Sequence, residues 1–126
     1  MDGRVVHFEV PFDDAERAQS FYREVFGWRI NTVPGLGYST VSTGPVDDQG
    51  MPSEPGYIGG GMLARQGPVR RPVVTVEIDD IDAALAAVRQ RGGSVVGEKV
   101  AVGDMGFAAY FEDSEGNVMG LWQAAR

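Results

Sequence analysis

Residues 5–10, VVHFEV, alternate: Val6, Phe8 and Val10 point to one side of a strand, and Val5, His7 and Glu9 to the other. The period then lengthens. In DDAERAQSFYREVFGW, residues Ala15, Ala18, Phe21, Tyr22, Val25 and Phe26 fall on one face of a helix, which predicts that this face is apolar. Asp13 with Glu16 three positions later reads as a capping box, and Gly27 ends the helix. Three short strands are predicted next, around 28–33, 38–43 and 57–64.

The pattern then returns. VVTVEI, residues 73–78, alternates with Val74, Val76 and Ile78 on the apolar side and Val73, Thr75 and Glu77 on the other. DDIDAALAAVRQRGG predicts a helix carrying Ile81, Ala84, Leu85 and Val88, stopped by Gly92 and Gly93. Strands follow around 94–100, 106–111 and 118–123, the last two joined by the turn DSEGN. The unit is thus strand, helix, three strands, present twice: module one at about 1–66, a linker GPVRRP at 67–72, and module two at 73–126. The expected class is α+β, two tandem βαβββ modules forming one domain. A four-stranded sheet with a helix on one face leaves a second face, and alternation places His7, Glu9, Thr75 and Glu77 there. Polar groups on such a face are either simply hydrated or line a ligand site.

Two readings of the repeat are open. Matched letter by letter, Val5 falls on Val73 and His7 on Thr75, with Pro11 and Phe12 as an insertion before the first helix; counted back from Phe21 and Tyr22, His7 takes the inward position instead. Both Val5 and His7 lie on the same side of the strand.

Composition narrows the chemistry. A chain of 126 residues buries roughly 65–70% of its surface on folding, enough for a core without covalent staples. It has no cysteine, which excludes disulfides, thiolate metal sites and a cysteine nucleophile. The net charge of −7 disfavours nucleic acid and anionic membranes and favours cationic partners. The basic cluster Arg65, Arg70 and Arg71 lies in the linker segment and is not expected to bind nucleic acid. No apolar run is long enough for a bilayer and the start lacks a leader pattern, so a cytoplasmic location is the expectation.

The segments HFEVPFDDAERAQSFYREVFGW, IDDIDAALAAVRQRGG and AAYFEDSEGNVMGLW resemble the vicinal oxygen chelate superfamily, which includes glyoxalase, bleomycin-resistance proteins and extradiol dioxygenases. The resemblance covers nearly the whole chain. It implies that each module's sheet curls into a half-barrel, that the two close around a cup, and that chains of this size form homodimers. It also implies that enzymes of the family hold a divalent metal with His, Gln or Glu from the first and last strands of the modules.

On those positions the ligand set is incomplete. His7 supplies one ligand; the second module offers Val73 or Thr75, and the glutamate expected three residues after Asn117 is Gly120. GYIGGGML, the last strand of module one, has no acid or histidine. His7, Glu9 and Glu77 are the weak candidates for an unusual manganese or magnesium site; no metal or other cofactor is expected.

Alternation extends the cup face. If Gly120 takes the ligand position, Trp122 faces inward with it, the alternative being a core tryptophan. On the neighbouring strand either Phe107, Ala109 and Phe111 or Ala108, Tyr110 and Glu112 face the cup, with Tyr110 favoured because its hydroxyl wants a partner. Glycines 59, 60, 61 and 120 either leave room there or bend the strands. The loop at 44–56 is either a lid or a loose surface loop, the loose loop being favoured.

The expected function is therefore a small-molecule-binding protein of the glyoxalase/bleomycin-resistance type, taking a cationic or aromatic ligand against His7, Glu9, Thr75, Glu77, Tyr110 and Trp122. A metal-dependent lyase, isomerase or dioxygenase of the glyoxalase type is the alternative, and an interaction module with a vestigial cup is the third reading. The balance leans away from an enzyme. If there is catalysis, it would be of lactoylglutathione-lyase or dioxygenase type, with His7 and Glu9 as weak candidates for the base.

Overall fold

The structure is a computed structural model that describes residues 2–125. Its elements are β1 (Arg4–Phe12), α1 (Ala15–Phe26), β2 (Arg29–Val33), β3 (Tyr38–Ser42), β4 (Gly59–Ala64), β5 (Val73–Glu77), α2 (Ile81–Gln90), β6 (Ser94–Val102), β7 (Gly106–Glu112) and β8 (Val118–Ala124). The chain is α+β, a βαβββ unit used twice, as the alternation predicts. Neither helix is long and apolar enough to cross a membrane.

By its contacts the chain divides into two units. One comprises residues 7–72; the other comprises residues 2–6 together with 73–125. In the first unit the strand order is β2-β3-β4-β1, with β1 parallel to β4 and the other neighbours antiparallel. In the second it is β5-β8-β7-β6, with β5 parallel to β8.

The core of the first unit lies between its sheet and α1. Ile30, Val41 and Met62 are buried there, with Phe8, Val10, Phe12, Ala18, Tyr22 and Trp28 packed against them. The core of the second is Ile78, Ile81, Leu85, Ala109 and Leu121, with Val76, Ala84, Val95, Phe107 and Phe111 around it. Phe8 and Val10 of β1, and Val76 and Ile78 at β5, thus pack into the cores as expected, whereas Val6 is only half-buried and Val74 stays exposed.

The helix ends show where local pattern fails. Asp14, not Asp13, caps α1: its carboxylate accepts from the Arg17 amide at 3.0 Å. Asp13 instead meets the Arg65 guanidinium at 3.0 Å. Gly27 closes α1 in the left-handed region. Asp80 caps α2, accepting from the Ala83 amide at 3.1 Å. Of Gly92 and Gly93, which were expected to stop α2, Gly92 alone is left-handed. Gly93 is small for a different reason, since a β-carbon there would lie 2.5 Å from the Glu112 carbonyl oxygen.

The predicted apolar face of α1 is a larger error. Ala18 and Tyr22 pack into the core, but Phe21, Val25 and Phe26 are exposed. A twelve-residue helix on a four-stranded sheet covers a narrow stripe, and the six apolar residues span more than that stripe.

Two connecting segments are better ordered than their composition suggests. In the 44–56 loop Asp47 accepts from the amides of Gln49 and Met51, Val46 bridges to Pro52, and the Tyr57 hydroxyl donates to the Pro45 carbonyl at 2.7 Å. It is a pinned turn, not a loose loop. In the linker, Val69 is among the most buried residues of the chain, and Arg65 donates to the Arg70 carbonyl.

Candidate functional site

The module register follows from the helix caps. Matching Asp14 to Asp80 puts Val10 on Val76, Glu9 on Thr75 and His7 on Val73. Strand pairing agrees: Glu9 stands opposite Gly61, Thr75 opposite Gly120, and the next residues, Met62 and Leu121, both enter their cores. The letter-by-letter match of His7 to Thr75 is therefore not the structural one. Its failure is physical, because the cap and the core, not the repeated letters, fix how a strand meets its helix.

In the first unit, His7 and Glu9 share the face of β1 turned away from α1, since Phe8, Val10 and Phe12 occupy the other. Glu9 is buried. His7 is half-buried, and desolvation holds its imidazole below the usual 6.5 while the Glu9 carboxylate pulls it up. The His7 Nε2 lies 2.8 Å from the Tyr38 hydroxyl. The imidazole tautomer sets which of the two groups donates in that bond.

Tyr38 is the site residue that the sequence reading missed. It sits on β3 opposite Leu63 and reaches diagonally across Gly61: a β-carbon on Gly61 would lie 1.9 Å from the Tyr38 Oη. The glycine triplet was the available signal, read as open room or curvature. Gly61 is filled by the phenol and Gly60 by the Phe8 ring.

In the second unit, Thr75, Gly120 and Tyr110 form one row across β5, β8 and β7, and Glu77, Trp122 and Ala108 form the next. All lie on the face away from α2, because Phe107, Ala109 and Phe111 take the core side. The structure thus resolves both alternatives of β7 and β8 in favour of Tyr110 and Trp122 facing away from the helix. Thr75 is buried and its hydroxyl fills the space at Gly120; a β-carbon there would lie 2.7 Å from Oγ1. The Trp122 ring lies over Gly106, while Glu77 is exposed.

The donors do not make the ligand set that a divalent ion in this fold needs. His7 Nε2 is engaged by Tyr38, its counterpart Val73 is apolar and buried, and the matching places on the last strands are Gly61 and Gly120. Among the described residues no three His, Asp or Glu side chains gather to hold a metal.

The comparisons agree with this architecture. Residues 4–44 match the family described as bleomycin resistance protein-like N-terminal. The chain is 29% identical over 126 residues to a glyoxylase-like domain-containing protein of Didymella fabae, covering 93% of this chain and 91% of that one. It is 34% identical over 118 residues to CFP32 of Mycobacterium bovis, a protein provisionally named a glyoxylase; there the chain spans 90% of its own length but 42% of the relative's. Among solved structures, a glyoxalase/bleomycin resistance protein/dioxygenase superfamily member from Vibrio splendidus superposes with a TM-score of 0.61 at 15% identity, over 98% of this chain and 99% of that one. A variant of Streptomyces coelicolor methylmalonyl-CoA epimerase, in complex with 2-nitronate-propionyl-CoA, does so with 0.63 at 17%, over 98% and 99%. Paired βαβββ units with these likenesses define the class. The chain is similar in sequence to glyoxalase-like and bleomycin-resistance-like proteins and shares the fold of the vicinal oxygen chelate superfamily.

Proposed function

We propose that this protein binds a small molecule without a metal, on the sheet faces turned away from its helices. The observation that carries the reading is the His7–Tyr38 hydrogen bond over Gly61: the phenol fills the last-strand position where a carboxylate ligand would be expected, and the one imidazole is already paired. What remains on the faces is recognition chemistry: a phenol beside an imidazole in one unit, and Tyr110, Trp122 and an exposed Glu77 in the other. Adjacent indole and carboxylate groups favour a planar cation, as does the net charge of −7.

Titration with a panel of planar aromatic cations and their uncharged analogues, followed by thermal unfolding, tests this. A cation at 100 times its dissociation constant should add about 2.7 kcal/mol of stability, and Trp122→Ala should abolish the gain. A panel in which no cation stabilises the protein overturns the reading.

A glyoxalase-type metal enzyme is the second reading, favoured by the names of the two sequence relatives. Metal analysis of protein purified without chelator separates the two, because one bound divalent ion per chain would reverse their order.

A further inference from the structure

We propose that Tyr38 is a nucleophile, with His7 as its base, that takes an acyl or sulfonyl group from a small electrophile on the same face of the sheet. The proposal goes beyond metal-free binding and rests on it, since a metal on His7 would occupy the nitrogen that meets the phenol.

Nucleophilic chemistry needs a hydroxyl, a base within hydrogen-bond reach and a third group that holds the base. The Tyr38 Oη and the His7 Nε2 lie 2.8 Å apart. Glu9, a buried carboxylate next along the same face of β1, acts on His7 through its charge. Burial disfavours the imidazolium, so one ring nitrogen is free to take a proton. The two tautomers interchange through water faster than a covalent step proceeds, so either resting form supplies the base.

The phenol is fixed and reachable. It fills the space that a β-carbon on Gly61 would need, so the pair requires that glycine. On β3, Val41 is buried in the core and Ser39 accepts from Gln19 of α1, which leaves Tyr38 and Thr40 on the other side. Thr40 pairs with Gly61 and is exposed, so the face beside the phenol is open to a small molecule.

The other phenols lack this arrangement. Tyr22 is stacked on Trp28 at 4.6 Å. Tyr57 donates to the Pro45 carbonyl, which cannot take its proton at neutral pH. His7 is the only histidine of the chain, so no second imidazole serves Tyr110.

The step balances without a further reactant. The Tyr38 oxygen attacks the carbonyl carbon or the sulfur, its proton passes to the His7 Nε2, and the leaving group departs with the bonding pair, as fluoride does from a sulfonyl fluoride.

Benzenesulfonyl fluoride is the probe, and peptide mass spectrometry reads the site. The full chain should gain one benzenesulfonyl group, on Tyr38. Tyr38→Phe keeps the ring over Gly61 and should gain none. His7→Ala should slow the labelling about a hundredfold. Imidazole in the buffer should restore part of that rate, which a merely structural role for His7 would not allow. Labelling spread over all the tyrosines, or none at Tyr38, overturns the proposal. So does a rate that His7→Ala leaves unchanged or that imidazole fails to restore. The assay contains no cation, so its result stands apart from that of the cation panel.

Discussion

Matched on their helix caps, the two modules place a glycine at the same point of their last strands and fill the space above it differently. Over Gly61 lies the phenol of Tyr38, brought from the neighbouring strand to meet His7. Over Gly120 lies the hydroxyl of Thr75, from the strand paired with it in parallel. On the helix side the modules stay alike: Val10 and Met62 in one do the work of Val76 and Leu121 in the other. The lesson is that the helix-facing side carries the fold and must repeat, while the opposite side is free to acquire separate chemistry in each half.

The strongest test of that difference is a methyl group. In Gly61→Ala the new β-carbon would lie 1.9 Å from the Tyr38 Oη and 2.1 Å from its Cζ, so the whole ring must leave. The loss should be about 2–3 kcal/mol by chemical denaturation, the range for overpacking. Gly120→Ala meets only the Thr75 Oγ1 closer than 3 Å, and a rotamer change relieves that. Its cost should be about 1 kcal/mol or less. Equal costs in the two modules would mean that the phenol is not wedged where the structure puts it.

This asymmetry was only half legible in the sequence. The strands, helices and their order follow from periodicity, which is local, and His7 and Glu9 follow from alternation within one strand. Tyr38 does not, because its role depends on β3 pairing with β4 so that Tyr38 stands opposite Leu63. No local pattern states that register. The repeat misled for a related reason: VVHFEV and VVTVEI match best by letter when displaced two residues from the frame that Asp14 and Asp80 impose. The face of α1 failed because six apolar residues announce amphipathicity but not which of them a narrow sheet will cover.

A smaller effect isolates the pair itself. Tyr38→Phe keeps the ring over Gly61 and removes the hydroxyl 2.8 Å from His7. It should cost about 1 kcal/mol, as should His7→Gln. In the double variant the costs should fall short of additive by about 0.5–1 kcal/mol. Strict additivity would show that the hydrogen bond carries no coupling and that the two side chains are merely neighbours.

The smallest effect is in pH, and it belongs to one module alone, since His7 is the only histidine of the chain. Burial lowers its folded value below 6.5, against the pull of Glu9. The unfolded chain therefore takes up the proton first. The stability tied to the neutral imidazole is fully present above pH 6.5 and is lost as the pH falls from there through the lower folded value. Wild type should thus lose stability relative to His7→Gln as the pH falls below 6.5. Denaturant titrations of both proteins across that window give the difference directly. A difference that grows in favour of wild type on acidification would mean that the carboxylate of Glu9 outweighs desolvation. His7 would then be a charged partner of Glu9 and not the neutral partner of the Tyr38 hydroxyl, and the two modules would differ by an ion pair and not by a tyrosine.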